Sequence, residues 1–241
     1  MRANLETRAL RGVIWNAINQ GAVQAIQLVV GICLARLLLP SEFGLVAMLM
    51  VFMGLAQTFV DSGFGSALIQ RQALTRGDAS TVFYFNLLVA VAIAGLFYFG
   101  APAVAHFYKE PSLTALTRVL SLNLVINAFG LVQSNLLTKN LDFREQTFVA
   151  IVAAVIGGVV GITAALCNCG VWSLVGQSLA SNATRSGLLW YVTDWRPTLV
   201  FSFTALRDML TFGSRLLASS LISTIADSTY SLVIGRLFAA A

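Results

Sequence analysis

From Val13 to Ala35 the chain carries no charged side chain. A helix of that length rises about 1.5 Å per residue and crosses the roughly 30 Å hydrocarbon core of a bilayer. The stretch is not uniformly apolar. Asn16, Asn19, Gln20, Gln24 and Gln27 follow one another at spacings of 3, 1, 4 and 3. At about 100° per residue they fall within roughly 140° of arc, on one side of the helix. A row of amides in hydrocarbon is costly unless it faces protein or water. The expected element is therefore a membrane helix with one face on a shared polar cavity. The competing reading has the amides bonding to neighbouring helices and nothing more.

Composition extends this reading to the whole chain. Of its 241 residues 58% are hydrophobic and 10% charged, where a soluble domain carries about a quarter charged residues. This implies an integral membrane protein of several helices and excludes a soluble enzyme on an anchor. The net charge is +5, but the basic residues stand at the ends of apolar segments. That is a pattern of topology signals, not of a nucleic-acid groove. Arg2, Glu6, Arg8 and Arg11 precede a full-length span with no small-residue cleavage motif, which is unlike a signal peptide. Cys33, Cys167 and Cys169 have neither the count nor the spacing of a disulfide framework or a zinc site. The one histidine, His106, falls where a span meets a loop.

After the first span the expected spans are 43–60, 82–105, 116–137, 148–166, 171–192 and 216–238. The second ends at Asp61 and is followed by a glycine-broken stretch, DSGFGSALIQRQ. The fourth carries Asn123, Asn127, Gln133 and Asn135, a looser amide face than that of the first. Gly157 and Gly161 in the fifth form a GxxxG pair that permits close helix approach. TDWRPTLVFSFTALRD is a longer connection with aromatics, expected at the membrane interface. Arg2, Arg8, Arg11, Arg71, Arg76, Lys139, Arg144, Arg196 and Arg207 fall on one side and Arg36 and Lys109 on the other. The bias puts the N-terminus in the cytoplasm.

GVIWNAINQGAVQAIQLVVGICLARLL, from Gly12, has an echo in GSRLLASSLISTIADSTYSLVIGRLF, from Gly213. Each starts with glycine after a basic segment, mixes small and polar residues, and ends on a small residue, arginine and leucine. This suggests a six-helix unit that begins to repeat. Parallel repeats are a known transporter plan, with the substrate path between halves. The expected fold class is all-α, a polytopic membrane helical bundle. Residues 1–195 would be a six-helix lobe, 196–212 an interfacial linker and 213–241 the first helix of a second, similar lobe.

A series of motifs then carries a family resemblance. IWNAINQ, LARLLLPSEFGLVAM, GLAQTFVDSGFGSALIQRQ, FYKEPSLTALTRVLSLN, LLTKNLDFR, GVWSLVGQ and WRP occur in that order. The set resembles the Wzx-type lipid-linked oligosaccharide flippases and colanic-acid-type polysaccharide exporters of the multidrug/oligosaccharidyl-lipid/polysaccharide superfamily, over nearly all of the chain. The resemblance implies a non-enzymatic membrane transporter of the bacterial inner membrane. It would move a polyprenyl-pyrophosphate-linked glycan to the outer leaflet during lipopolysaccharide, O-antigen or exopolysaccharide biosynthesis. Membrane lipid, a polysaccharide polymerase and glycosyltransferases would be its partners, with no nucleic acid and no cofactor. The alternatives are a multidrug/cation antiporter of the same superfamily and a half-protein that needs a partner.

An anionic pyrophosphate in a membrane cavity calls for a cation, and arginine grips phosphate in a fork. Arg36, at the outer end of the first helix on the turns of the amide stripe, and Arg185, deeper in the sixth, are the candidates. The rival for each is an arginine reaching to the headgroups. Ser178, Ser181, Asn182 and Arg185, at spacings of 3, 1 and 3, form a second polar face. Ser178 and Asn182 join the first-helix amides as the expected substrate path. Asp227, mid-span in the seventh segment, and Asp61 are candidate ion-coupling groups. No catalytic triad, metal-ligand spacing or nucleotide-binding loop is present in the sequence.

Overall fold

The computed structural model describes residues 2–61, 68, 75–203, 206 and 207. Among them are six helices in chain order: α1 Arg2–Leu37, α2 Pro40–Asp61, α3 Arg76–Tyr108, α4 Leu113–Lys139, α5 Phe143–Leu166 and α6 Trp172–Val192. Each expected span from the first to the sixth lies inside one of these helices or within a residue of its end. The seventh expected span, 216–238, lies outside the described residues.

The first five helices are long and apolar enough to cross a membrane. The sixth is the one departure from the expected six spans. It is 21 residues long, enough to cross, but it has no stretch as apolar as the spanning stretches of the other five. The reason is the run of Gln177, Ser178, Ser181, Asn182, Thr184, Arg185 and Ser186. Much of that run faces protein or the cavity described below, so α6 needs less apolar surface. The chain is a multi-pass membrane protein. Bands of exposed apolar side chains, among them Leu28, Val29 and Ile32 on α1 and Leu88, Leu96 and Phe99 on α3, are the surface a lipid environment covers.

The turns between helices have identifiable causes. Thr75 caps α3 in a reciprocal box with Asp78: the Asp78 N–H donates to Thr75 Oγ1 and the Thr75 N–H to Asp78 Oδ2. Lys109, Leu141 and Asn168 take left-handed φ values of 58°, 62° and 58° just past α3, α4 and α5. There Glu110 N–H donates to Ala105 O, Asp142 N–H to Leu137 O and Cys169 N–H to Ala164 O. These reach-back bonds satisfy carbonyls a helix end would otherwise leave open.

α4 lies at the centre. Half of its apolar window is buried, against 11% in α1. It packs extensively on α3 and α6 and also touches α2 and α5. α5 in turn packs on α6 and on α1. Its glycines make both contacts possible. A Cβ at Gly158 would meet Val30 Cγ2 of α1 at 2.5 Å; one at Gly157 would meet Ser181 Cβ of α6 at 2.7 Å, and one at Gly161 would meet Gln177 Cβ at 2.9 Å. On the other side of α6, Gly130 of α4 faces Ser186, whose hydroxyl donates to Ile126 O at 2.6 Å.

α1 and α2 are joined by a short turn but pack on different partners, α1 on α5 and α2 on α4 and α3. They therefore stand apart, with α4 and α6 behind them. Beyond α6 the chain runs without helix from Thr193 to Thr198 and is held to α3. Thr198 N–H donates to Ser80 Oγ and Ser202 N–H to Thr81 Oγ1. Trp195 stacks edge-on to Phe83, which also meets Phe129 and Trp190 at ring-centre distances near 6 Å.

Candidate functional site

The space between α1 and α2 is a cavity of about 660 Å³, within the roughly 300–1,000 Å³ of small-molecule sites. α2 supplies a mostly apolar wall, Phe43, Val46, Ala47, Met50 and Met53, ending in Gly54 and Gln57. α4 supplies Asn123 and Asn127, and α6 supplies Gln177, Ser178, Ser181 and Asn182. α1 contributes Gln27. The spacings explain the convergence. Asn123 and Asn127 are one turn apart, and 177, 178, 181 and 182 are the i, i+1, i+4 and i+5 positions of one helix face.

The polar groups are tied to one another. Asn182 Nδ2 donates to Asn123 Oδ1 at 3.0 Å, and Asn123 Nδ2 donates to Ser178 Oγ at 3.0 Å. This bridge fixes the orientation of the Asn123 amide. Nearer the end of α2, Gln57 Nε2 donates to Asp61 Oδ1 at 2.9 Å, and Asn127 Nδ2 reaches Gln57 Oε1 at 3.5 Å. Among the described residues, every polar residue of the lining is an amide or a hydroxyl, with no charged side chain among them.

Three of the expected path residues therefore line the cavity: Gln27, Ser178 and Asn182. Gln20 and Gln24 are exposed on α1, and Asn19 is half-buried. The side chain of Asn16 and the whole of Asp227 lie outside what the structure describes. Arg185 is exposed one turn past Asn182, near enough to Asp61 for its charge to act on that carboxylate. Asp61 is exposed at the last residue of α2. The placement of Arg36 on the turns of the amide stripe is corrected. It is exposed in the last turn of α1, four residues past the exposed Ile32. At about 100° per residue it stands on the side of α1 away from Gln20 and Gln27.

Gln57, Asn123, Asn127, Gln177 and Ser181 were not among the expected path residues. A signal for two of them existed, since Asn123 and Asn127 are one turn apart. What blurred it is that the α4 amides divide between two environments. Gln133 is fully buried on another side, beside the Phe129 carbonyl and the Trp190 indole, and Asn135 donates to Leu131 O. Among the described residues no three His, Cys, Asp or Glu side chains gather as metal ligands would.

The chain is 28% identical over 240 residues to the teichuronic acid biosynthesis protein TuaB of Bacillus subtilis (strain 168), covering 98% of this chain and 50% of that protein. It is 29% identical over 227 residues to the succinoglycan biosynthesis transport protein ExoT of Rhizobium meliloti (strain 1021), covering 94% and 46%. It is 26% identical over 243 aligned positions to the lipopolysaccharide biosynthesis protein WzxC of Escherichia coli (strain K12), covering 98% and 49%. The chain thus spans about half the length of the curated relatives it matches. No solved structure matches it. A family described as polysaccharide biosynthesis protein matches residues 33–241, and the chain belongs to that family.

Proposed function

We propose that this chain supplies one helical lobe of a bacterial inner-membrane transporter that moves a polyprenyl-pyrophosphate-linked glycan from the cytoplasmic to the outer leaflet. The observation that carries the proposal is the amide- and hydroxyl-lined cavity set among helices apolar enough to span a membrane. A glycan head bearing a pyrophosphate cannot cross hydrocarbon unaided, because each buried hydroxyl and charge loses its water. A polar cavity at mid-depth replaces those hydrogen bonds. Asn123 and Asn127 lie near the midpoint of α4, and Asn182 at that of α6. The names of TuaB, ExoT and WzxC place them in polysaccharide biosynthesis, ExoT as a transport protein.

On this reading the amides of α1 face the aqueous path, and a second, similar lobe completes it by alternating access. Arg185, at the cavity's edge, is the contact for the pyrophosphate, and Arg36 reaches outward to lipid headgroups. Asp61, bonded to Gln57 and within the field of Arg185, and Asp227 are the groups for ion coupling. The polymerase and glycosyltransferases of the same biosynthesis act before and after the transport step, and no covalent chemistry falls to this chain.

The test is genetic and chemical. Deleting the gene in its host abolishes the surface polysaccharide and leaves polyprenyl-linked repeat units, assayed by mass spectrometry, on the cytoplasmic leaflet. Restoring the gene reverses both, and restoring it with Arg185→Ala does so poorly. Undiminished surface polysaccharide in the deletion strain would sink the proposal.

A further inference from the structure

We infer that the cavity between α2, α4 and α6 is a subsite for uncharged sugar rings and excludes the pyrophosphate of the same cargo. This rests on the glycan reading above and divides the cargo between two places. The two walls differ in kind. The α2 wall offers Phe43, Met50 and Met53, and the opposite wall offers the Asn182–Asn123–Ser178 bridge. A pyranose has the matching asymmetry, with C–H faces that pack on apolar surface and a rim of hydroxyls. Each hydroxyl both donates and accepts, and so does each amide. The bridge uses one N–H and the carbonyl of Asn123 and one N–H of Asn182. The other N–H of each amide and the carbonyl of Asn182 remain for a ligand.

A pyrophosphate meets the opposite situation. It is acceptor-only and multiply charged, and the described residues of the lining include no cation to offset its loss of water. The Asn182 carbonyl, an acceptor, would face it unfavourably. The nearest cation on α6, Arg185, is outside the lining and exposed. The diphosphate therefore sits at the edge, and the ring it carries reaches inward. The volume, about 660 Å³, has room for more than a single ring.

The experiment uses the whole 241-residue chain in lipid nanodiscs. Saturation-transfer NMR reads binding of a panel of uncharged gluco-, galacto- and manno-configured trisaccharides, with inorganic pyrophosphate and trigalacturonate as charged probes. At least one uncharged trisaccharide gives transfer, and pyrophosphate at about 1 mM, the scale of weak binding, does not displace it. Asn123→Leu and Asn182→Leu weaken the sugar about tenfold, the loss of one or two directed hydrogen bonds. Ser178→Ala, which changes little volume, weakens it by a smaller factor and serves where the leucine variants fail to fold. Arg185→Gln lowers pyrophosphate binding. No transfer from any uncharged sugar, displacement by pyrophosphate, equal binding of trigalacturonate, or full binding by Ser178→Ala would each overturn the subsite. Export in the host reports separately on transport: export intact with binding insensitive to the amides rejects the subsite alone, and export unaffected by gene deletion rejects the transport reading.

Discussion

Gly157 has room for no side chain. Its missing Cβ would sit 2.7 Å from Ser181 Cβ and 2.9 Å from the Gln177 carbonyl. Gln177 and Ser181 are cavity residues, so a glycine on α5 sets how a wall on α6 is placed. An alanine there must push α5 and α6 apart. Gly157→Ala is expected to destabilise by about 1–3 kcal/mol, the range of overpacking, measured as a lower unfolding midpoint in detergent. Gly95, with nothing within 4 Å of its Cβ position, is the control. Gly95→Ala should change stability by less than about 1 kcal/mol. Equal effects at the two sites would mean that α5 and α6 are not in the contact described. The GxxxG spacing of Gly157 and Gly161 was legible in the sequence. That Gly157 and Gly161 serve α6 while Gly158 serves α1 was not, because spacing names a helix face and not the neighbour on it.

On α1 the amide stripe read from the sequence meets the cavity at a single residue, Gln27. The α1 amides form a stripe beside the side that packs on α5, where Ile26, Val30 and Leu34 join Ile162 and Ala165. Of the stripe, Gln27 reaches the cavity, while Gln20 and Gln24 are exposed. Val29 lies about half a turn round the helix from Gln20 by angle, among exposed apolar residues. If the stripe faces an aqueous path and Val29 faces lipid, single cysteines will tell them apart. With Cys33, Cys167 and Cys169 replaced by serine, Gln20→Cys is expected to react with a water-soluble maleimide in membranes and Val29→Cys to stay unlabelled. Equal labelling would remove the aqueous path from α1. α6 carried a similar polar pattern, and Ser178 and Asn182 were readable from it. Its partner Gln57 on α2 was not, since it is the one amide of its helix and has no repeat to mark a face.

At the scale of the molecule, orientation is the quantity that basic residues specify. An N-terminus in the cytoplasm puts the α5–α6 turn on the outer side, and Cys167 and Cys169 in that turn are exposed. Cys33, inside the apolar part of α1, is half-buried. A membrane-impermeant maleimide added to spheroplasts is therefore expected to label the Cys167/Cys169 pair without permeabilisation and to spare Cys33. Labelling only after permeabilisation would invert the topology. On the proposed function the same scale accounts for the exposed row of α1, since a lobe that works with a second lobe carries polar surface that its own helices leave uncovered.

The sequence by itself determined the class of molecule. Long uncharged stretches must be membrane helices, because backbone polar groups in hydrocarbon have to be satisfied within the segment, and five of the six described helices are apolar enough to cross. It also determined which turns were tight and which helix faces were polar, since both follow from local residue types and a period of about 3.6 residues. Only the tertiary structure decided which polar faces meet. α1 and α2, neighbours in sequence, stand apart because each packs on a different partner, and the amides of α4 and α6 close the space between them. That outcome depends on where glycines let helices approach and on volumes filled across chain-distant contacts, and neither is written in the periodicity of any single segment.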